Sequence, residues 1–557
     1  MVSREKRIVR VEIILTIALF ILILIRVVWI IVSTDDAQIK YNDPIVASQV
    51  VRGTIYDAQS NILAIETPYY SLALHLQKAE DITKTIETIA PVVNMSTREI
   101  EDIVSQRSTY ALIKRRLNFD QKERLDQLSS SDEKLGIVIE KRYGRTYPQV
   151  HHAAQVIGFT NTENKGLEGL ELTQDRILSP YPEPGRKITY GNDIYLTIDM
   201  TLQYLLDQSI LSIEKEHDPD SIAGIIMESR TGAIRAVSNY PWYDPNSYWE
   251  SPAEYRTNAF STLMREPGSV FKIFSLACEL DSSTIESDEH FFCDGSYTYT
   301  DEDGNEITIN CVEPHGDVTP VDMIAKSCNG AVAHWSHEMP DEVFRQYLEA
   351  FGFTERYDIG LPGTTAGYLA PVSLWSSRSK ETISFGQEIA VSPLQIAAAA
   401  TAIANGGMKV EPYLIEKVCD HDNTIVKQHS VRYSGPIISK QTADIVLEGM
   451  EMASQPGGTA VKIGVEGVRI GAKTGTAQVA DEQTGSYSDD TYLASTLSIF
   501  PLDDPKYIIY IGALNPKGST IWGSSIASPG ISQIISDMVR LGYIKSSAIE
   551  DLQVTGK

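Results

Sequence analysis

The chain has 557 residues, with 48 Lys plus Arg against 74 Asp plus Glu and a formal charge of −26. That length exceeds one domain of ~100–200 residues, so at least two folded units are expected. A hydrophobic content of 42 % with 22 % charged residues excludes wholesale disorder and a multi-span membrane protein, and so acidic a chain repels phosphate backbones, which excludes nucleic acid as a general partner.

The first element is apolar. Ile13 to Val32 is interrupted only by Thr16 and Arg26, and at ~1.5 Å per residue it is long enough to cross a ~30 Å hydrocarbon layer. Arg4, Lys6, Arg7 and Arg10 precede it and Asp35 and Asp36 follow, so the positive-inside bias puts Met1 in the cytoplasm and everything after about residue 34 outside. The stretch is longer than the ~7–15-residue apolar core of a signal peptide and no Ala-x-Ala site follows, which favours an uncleaved anchor.

Residues 34–190 mix short β-rich runs with helical ones at Asp81–Val92 and Thr97–Gln106. They end in the loop-forming run Ser179-Pro180-Tyr181-Pro182-Glu183-Pro184-Gly185, a first domain boundary. Strands are then predicted at Ile194–Ile198, Ala223–Met227 and Ala233–Val237. A helix follows at Ser392–Ala404, capped by Ser392-Pro393 and stopped by Asn405-Gly406-Gly407, with late strands at Ser495–Phe500 and Tyr507–Ala513. Strands at both ends with helices between predict an α+β unit, an antiparallel sheet packed by helices.

The five cysteines are Cys278, Cys293, Cys311, Cys328 and Cys419. Without a Cys-x-x-Cys or a His pair at zinc spacing they match no metal site, and neither a metal nor another cofactor is expected. Cys293 and Cys311 flank the turn-rich run Asp301–Asn305, where a bridge and two free thiols are equally compatible with the sequence. His151 and His152 are adjacent and are expected on different faces, as packing residues.

Nucleophilic serine chemistry needs a hydroxyl, a base and donors for the oxyanion. One solution combines Ser-x-x-Lys at a helix start with a Ser-x-Asn and a Lys-Thr-Gly on other elements. Ser-x-x-Lys alone is weak evidence, since it also occurs at Ser131, Ser212 and Ser377. Ser269 is selected by its context: it follows Pro267-Gly268 and opens the apolar run Val270–Ala277, at the positive end of a helix dipole. Ser327-Cys328-Asn329 and Lys473-Thr474-Gly475 are the only instances of their kinds, they follow in the required order, and the second lies on the β-like run Val468–Ala472.

At these residues the sequence resembles the class B penicillin-binding proteins, membrane-anchored D,D-transpeptidases of bacterial cell-wall synthesis. Further matches are Arg52-Gly53-Thr54-Ile55-Tyr56-Asp57 and Ile62-Leu63-Ala64, Gly166–Glu171, Leu196–Asp199, Glu266–Ser269, Phe385-Gly386-Gln387 and Ser392–Gln395. Asn61 stands where the family usually has Gly, a place where Asn tolerates a left-handed conformation.

The resemblance implies a cytoplasmic tail (1–10), a transmembrane anchor (11–33), an α/β pedestal of the dimerisation type (34–190), a transpeptidase domain (191–545) and a C-terminal tail (546–557). It also implies the roles. Ser269 attacks the D-Ala-D-Ala carbonyl of a stem peptide and Lys272 is its base, with a pKa lowered by burial and by Lys473. Ser327 relays a proton to the leaving amine, and Asn329 holds Lys272 and the substrate amide. Lys473 and Thr474 bind the terminal carboxylate, Gly475 lets the substrate backbone approach, and the N–H groups of Ser269 and Thr476 form the oxyanion hole. Cys328 is a spacer and His315 structural. β-Lactams are expected inhibitors, a SEDS-family glycosyltransferase and other cell-wall machinery expected partners, and pedestal residues such as Arg52 the place to probe that partnership. The run Lys473–Gln478 and Phe500-Pro501 with Pro505 lean toward the division rather than the elongation type. A serine β-lactamase lacks support because no Glu-x-x-Leu-Asn follows Ser327, and intact triplets weigh against a pure scaffold.

Overall fold

Strands from the two ends of the C-terminal half meet in one antiparallel sheet of five, ordered Gly471–Ala480, Tyr487–Phe500, Tyr507–Leu514, Ser221–Glu228 and Ile234–Tyr240. In this computed structural model of the protein, residues 21–22, 26, 49–480 and 487–545 are described. Successive side chains of a strand point to opposite faces, so a sheet covered on both sides needs unbroken apolar runs such as Tyr507–Leu514. Ile509 and Ile511 enter the core formed with helices Met200–His217 and Gly523–Arg540, whereas Ile508 and Tyr510 enter the core on the other face. That second core contains the Ala-rich helix Pro393–Ala404, apolar all round and buried throughout. Its predicted start is borne out: Ser392 Oγ accepts the Gln395 N–H while Gln395 Oε1 accepts the Ser392 N–H.

The pedestal is built on the long strand Ile62–His75, paired antiparallel with Ile137–Thr146 and Tyr110–Lys114, and its helices Ile82–Val93, Thr97–Ser105 and Phe119–Ser131 bury a separate apolar cluster. One sheet crosses the boundary expected at residue 190. Asp193–Leu196 pairs parallel with Ile55–Tyr56 of the pedestal and antiparallel with Ile415–Cys419. Gly53 makes this junction possible, because a Cβ there would sit 2.0 Å from the Asn192 carbonyl oxygen.

By contacts the chain divides into residues 1–49 with 182–189, and 50–181 with 190–557. Within the first unit the Pro/Gly run turns at Gly185, φ +83°, beside an Arg186–Glu183 ion pair. The apolar segment 13–32 lies outside the described residues apart from Ile21, Leu22 and Arg26. Among the described residues no helix is long and apolar enough to cross a membrane.

Two expectations are corrected here. The left-handed residue of the first pedestal turn is Ser60, φ +67°, and not Asn61, whose N–H and side-chain amide both bind the Asp57 carboxylate. His151 and His152 do not diverge: their rings lie 4.1 Å apart, with His151 stacked on Trp242 and His152 Nδ1 2.6 Å from Asp207. Arg52, the pedestal position named above for probing a partner, lies inside the fold. It is buried, with Nε on Glu171 Oε2 at 2.7 Å and Nη1 on Asp175 Oδ1 at 2.7 Å, while Arg145 holds the other Glu171 oxygen.

The two pedestal motifs are therefore joined by a buried ionic network. Removing one charge from such a network strands its partners in a low dielectric and costs about 3–5 kcal/mol. Glu171→Gln is expected to speed amide hydrogen exchange in Ile62–His75 and Ile137–Thr146 by ~100-fold or more. Unchanged exchange there would show that the network does not hold the pedestal.

Candidate active site

Pro267-Gly268 turns the chain into a short 3₁₀ segment, Gly268–Phe271, that runs into the buried helix Lys272–Asp281. Ser269 thus stands in the turn ahead of the α-helix, with Lys272 opening the helix one turn on. The Gly268 N–H donates to Gly386 O at 3.0 Å, so the Phe385-Gly386-Gln387 run backs the nucleophile turn. Ser327 is the left-handed C-cap, φ +59°, of helix Pro320–Lys326, and Cys328 is the N-cap of the next helix, Asn329–Glu338. This tight connection aims the side chains of residues 327 and 329 at one point. Lys473 to Thr476 lie inside the edge strand Gly471–Ala480, which begins later than the run Val468–Ala472 expected from the sequence. Val468 makes only an isolated bridge to Val465.

The three motifs converge on two fully buried ammonium groups. Lys272 Nζ donates to Ser327 O at 2.6 Å, Asn329 Oδ1 at 2.6 Å and Ser327 Oγ at 3.1 Å, and Lys473 Nζ donates to the same Ser327 Oγ at 2.9 Å. Burial pushes Lys272 down to about 8, with Cys328 and Cys311 pulling the other way. Lys473 is pushed well below its ordinary value by burial and then by Lys272. A carboxylate arriving beside Lys473 restores its charge, as opposite charges do. Two of the Lys272 contacts are pure acceptors, so a neutral amine keeps its two protons on them and turns its lone pair to the hydroxyl side.

Gly475 has a reason inside the fold as well. A Cβ there would meet Ser495 Oγ at 2.6 Å, Val270 Cγ2 at 2.9 Å and Pro267 O at 3.0 Å, so its absence seats the strand against the nucleophile turn. A cavity of about 350 Å³ opens over Ser269, between Asn329 and Thr476, and is lined also by Asn310, Arg378 and Gln387. Asn310 and Arg378 were not foreseen. Asn310 O accepts from Asn329 Nδ2 at 2.9 Å, and both residues sit in loop or strand-end segments without a motif of their own. The strand Gly471–Ala480 offers an open edge along this cleft, where an extended peptide can add as a further strand.

The spacing of the cysteines along the chain matches no metal site, yet the fold gathers three of them with a histidine. Cys293, Cys311, Cys328 and His315 come together, with their donor atoms all within 4.8 Å of one another. Cys328 is therefore no mere spacer. The thiols are free, with Cys293 and Cys311 Sγ atoms 3.6 Å apart.

Comparison with known proteins agrees with this geometry. A family model described as the penicillin binding protein transpeptidase domain matches residues 222–536, more than half of the chain. The chain belongs to this family. A second model, the penicillin-binding protein dimerisation domain, matches residues 47–180, and the order of the two is that of a class B penicillin-binding protein, a peptidoglycan transpeptidase. This penicillin-binding protein is 28 % identical to stage V sporulation protein D of Bacillus subtilis over 87 % of the chain and 77 % of the relative. It is 25 % identical to the peptidoglycan D,D-transpeptidase FtsI of Escherichia coli over 94 % and 90 %. Its fold is similar to penicillin binding protein 3 of Mycobacterium tuberculosis complexed with aztreonam, with a TM-score of 0.71 and 22 % identity over 90 % of this chain and 98 % of that one.

Proposed function

We propose that Ser269 is the nucleophile of a D,D-transpeptidase acting on D-Ala-D-Ala stem peptides. The observation that carries this reading is the buried network in which Lys272, Ser327, Asn329 and Lys473 meet beside the Ser269 cleft. Neutral Lys272 takes the Ser269 proton as Oγ bonds to the carbonyl carbon of the penultimate D-Ala. The oxyanion is held by the N–H groups of Ser269 and Thr476. Collapse breaks the peptide bond, and Ser327, placed between both lysines, returns the proton to the departing D-Ala amine. Lys473 and Thr474 hold the terminal carboxylate. An amine from a neighbouring stem peptide then attacks the ester, forms the cross-link and frees Ser269. A β-lactam enters the same path but keeps its leaving amine tethered, so the acyl-enzyme persists.

The apolar run 13–32 with its basic flank supports a cytoplasmic-membrane anchor at 11–33, with the pedestal and the transpeptidase domain outside the cytoplasm. A SEDS-family glycosyltransferase is the proposed partner, as the resemblance to the class B members, which carry no glycosyltransferase domain of their own, implies. The septal role rests on Lys473–Gln478 and Phe500-Pro501, and a fluorescent fusion at the septum rather than the side wall would bear it out. Labelled penicillin tests the chemistry. One label per chain with slow release is expected, whereas rapid release would mean a β-lactamase and no label would end the enzyme reading.

A further inference from the structure

Between the nucleophile helix and the Ser-x-Asn motif the chain folds into two small antiparallel pairs, Phe291–Cys293 with Gly316–Val318 and the hairpin Ser296–Thr300 with Glu306–Asn310. Two-stranded pairs of this size are marginal by themselves. They bring three thiols and an imidazole to the start of helix Asn329–Glu338. Cys293 pairs across from Gly316, which places His315 beside it, with Nδ1 3.5 Å from Cys293 Sγ. Cys311 follows the hairpin, its Sγ 3.6 Å from Cys293 Sγ and 3.7 Å from Cys328 Sγ.

Four donors around a tetrahedral Zn²⁺ at ~2.3 Å for sulfur and ~2.0–2.1 Å for nitrogen lie about 3.8 Å apart for a sulfur pair and about 3.5 Å for sulfur and nitrogen. The observed 3.6, 3.7 and 3.5 Å match three of the six edges, the remaining donor pairs lying within 4.8 Å, and a disulfide would bring two of the sulfurs to ~2.05 Å. Thiolates bound to zinc also take hydrogen bonds from second-sphere groups. Here the Gly330 N–H points at Cys311 Sγ at 3.1 Å and the Ala331 N–H at Cys328 Sγ at 3.4 Å. Cys293 and Cys328 are buried, and Cys311 and His315 are half-buried.

We infer that Cys293, Cys311, His315 and Cys328 form a structural zinc site that fastens the 291–318 segment to the Ser-x-Asn motif. Three thiolates and one imidazole are a soft set suited to Zn²⁺, and four protein ligands leave no position open for substrate, so the ion acts by positioning. Binding displaces three thiol protons to solvent and involves no oxidant. Cys328 lies between Ser327 and Asn329, while Cys311 follows Asn310, whose carbonyl holds Asn329 Nδ2. The zinc thus sets the separation of Asn310 and Asn329, and through Asn329 the place of Lys272 Nζ.

The test uses the full chain, solubilised in detergent under a non-coordinating reductant. Elemental analysis is expected to give one zinc per chain. Replacement by Co²⁺ is expected to give intense visible bands of a tetrahedral centre and a near-ultraviolet thiolate-to-cobalt band. Cys311→Ser and His315→Ala should each reduce zinc well below one per chain and weaken those bands, whereas Cys419→Ser should keep both. Removing zinc with a chelator should slow penicillin acylation at least ~10-fold, with recovery when Zn²⁺ is returned. No cobalt–thiolate band, zinc retained by both ligand variants, or a disulfide among these cysteines in the freshly purified protein would each overturn the inference. The cobalt spectrum does not depend on acylation, so its failure and a failure of the transpeptidase reading are separately visible.

Discussion

Ser269→Ala is expected to abolish the covalent penicillin adduct, a loss of at least ~10³-fold in acylation rate, while leaving the fold intact. A nucleophile has no substitute in a step that forms a bond to its own oxygen, and losses of this kind far exceed those from binding groups. Ser269 is half-buried in the turn Gly268–Phe271, and its hydroxyl takes no part in the Lys272, Ser327 and Lys473 network. Stability should therefore change by no more than ~0.5 kcal/mol. Intact-mass spectrometry after incubation with labelled penicillin reads the adduct, and a urea midpoint reads the fold. A persistent adduct on Ser269→Ala would move the nucleophile elsewhere. The other Ser-x-x-Lys pairs offer no such alternative: Lys134 pairs with Glu80, Lys380 donates to the carbonyls of His337 and Met339, and Lys215 is exposed on the surface of its helix.

The candidate site was legible in the sequence because acyl transfer needs a few residue types, and here they stand in the motif order of the family that the chain resembles. Ser269, Ser327 and Lys473 are far apart in sequence, yet each belongs to a local triplet whose spacing matches a helix turn, a helix connection or a strand. The central sheet was legible for a related reason, since unbroken apolar runs such as Tyr507–Ala513 have one stable destination, a strand covered on both faces. The cluster of three cysteines and a histidine was not. Cys293, Cys311, His315 and Cys328 come from a strand, a hairpin end, a loop and a helix cap, so no two share the spacing by which single-element zinc sites are recognised. The burial of Arg52 was not legible either, because its partners Glu171 and Asp175 stand more than a hundred residues away. Gly475 is a partial case. The need for glycine was foreseen, but which neighbour demands it depends on how the nucleophile turn packs under the strand.

Lys272→Met should slow penicillin acylation by ~10²–10⁴-fold, the usual worth of a positioned base. In the wild type the acylation rate should rise with pH and level off above about 8. The sign follows from the chemistry. Only neutral Lys272 accepts the Ser269 proton, and burial holds its pKa at about 8 instead of the ordinary 10.5. At pH 7 about one-tenth of the chains then carry the free base, against roughly 3 in 10,000 for an unperturbed lysine. Lys272→Arg separates this from a requirement for positive charge, since a guanidinium keeps its proton throughout this range and cannot act as a base. It should be as slow as Lys272→Met and lose the rise near pH 8. A pH-independent rate in the wild type, or full activity in Lys272→Arg, would mean that the Ser269 proton leaves by another route. Lys473, through its contact with the Ser327 hydroxyl, would then be the next group to replace.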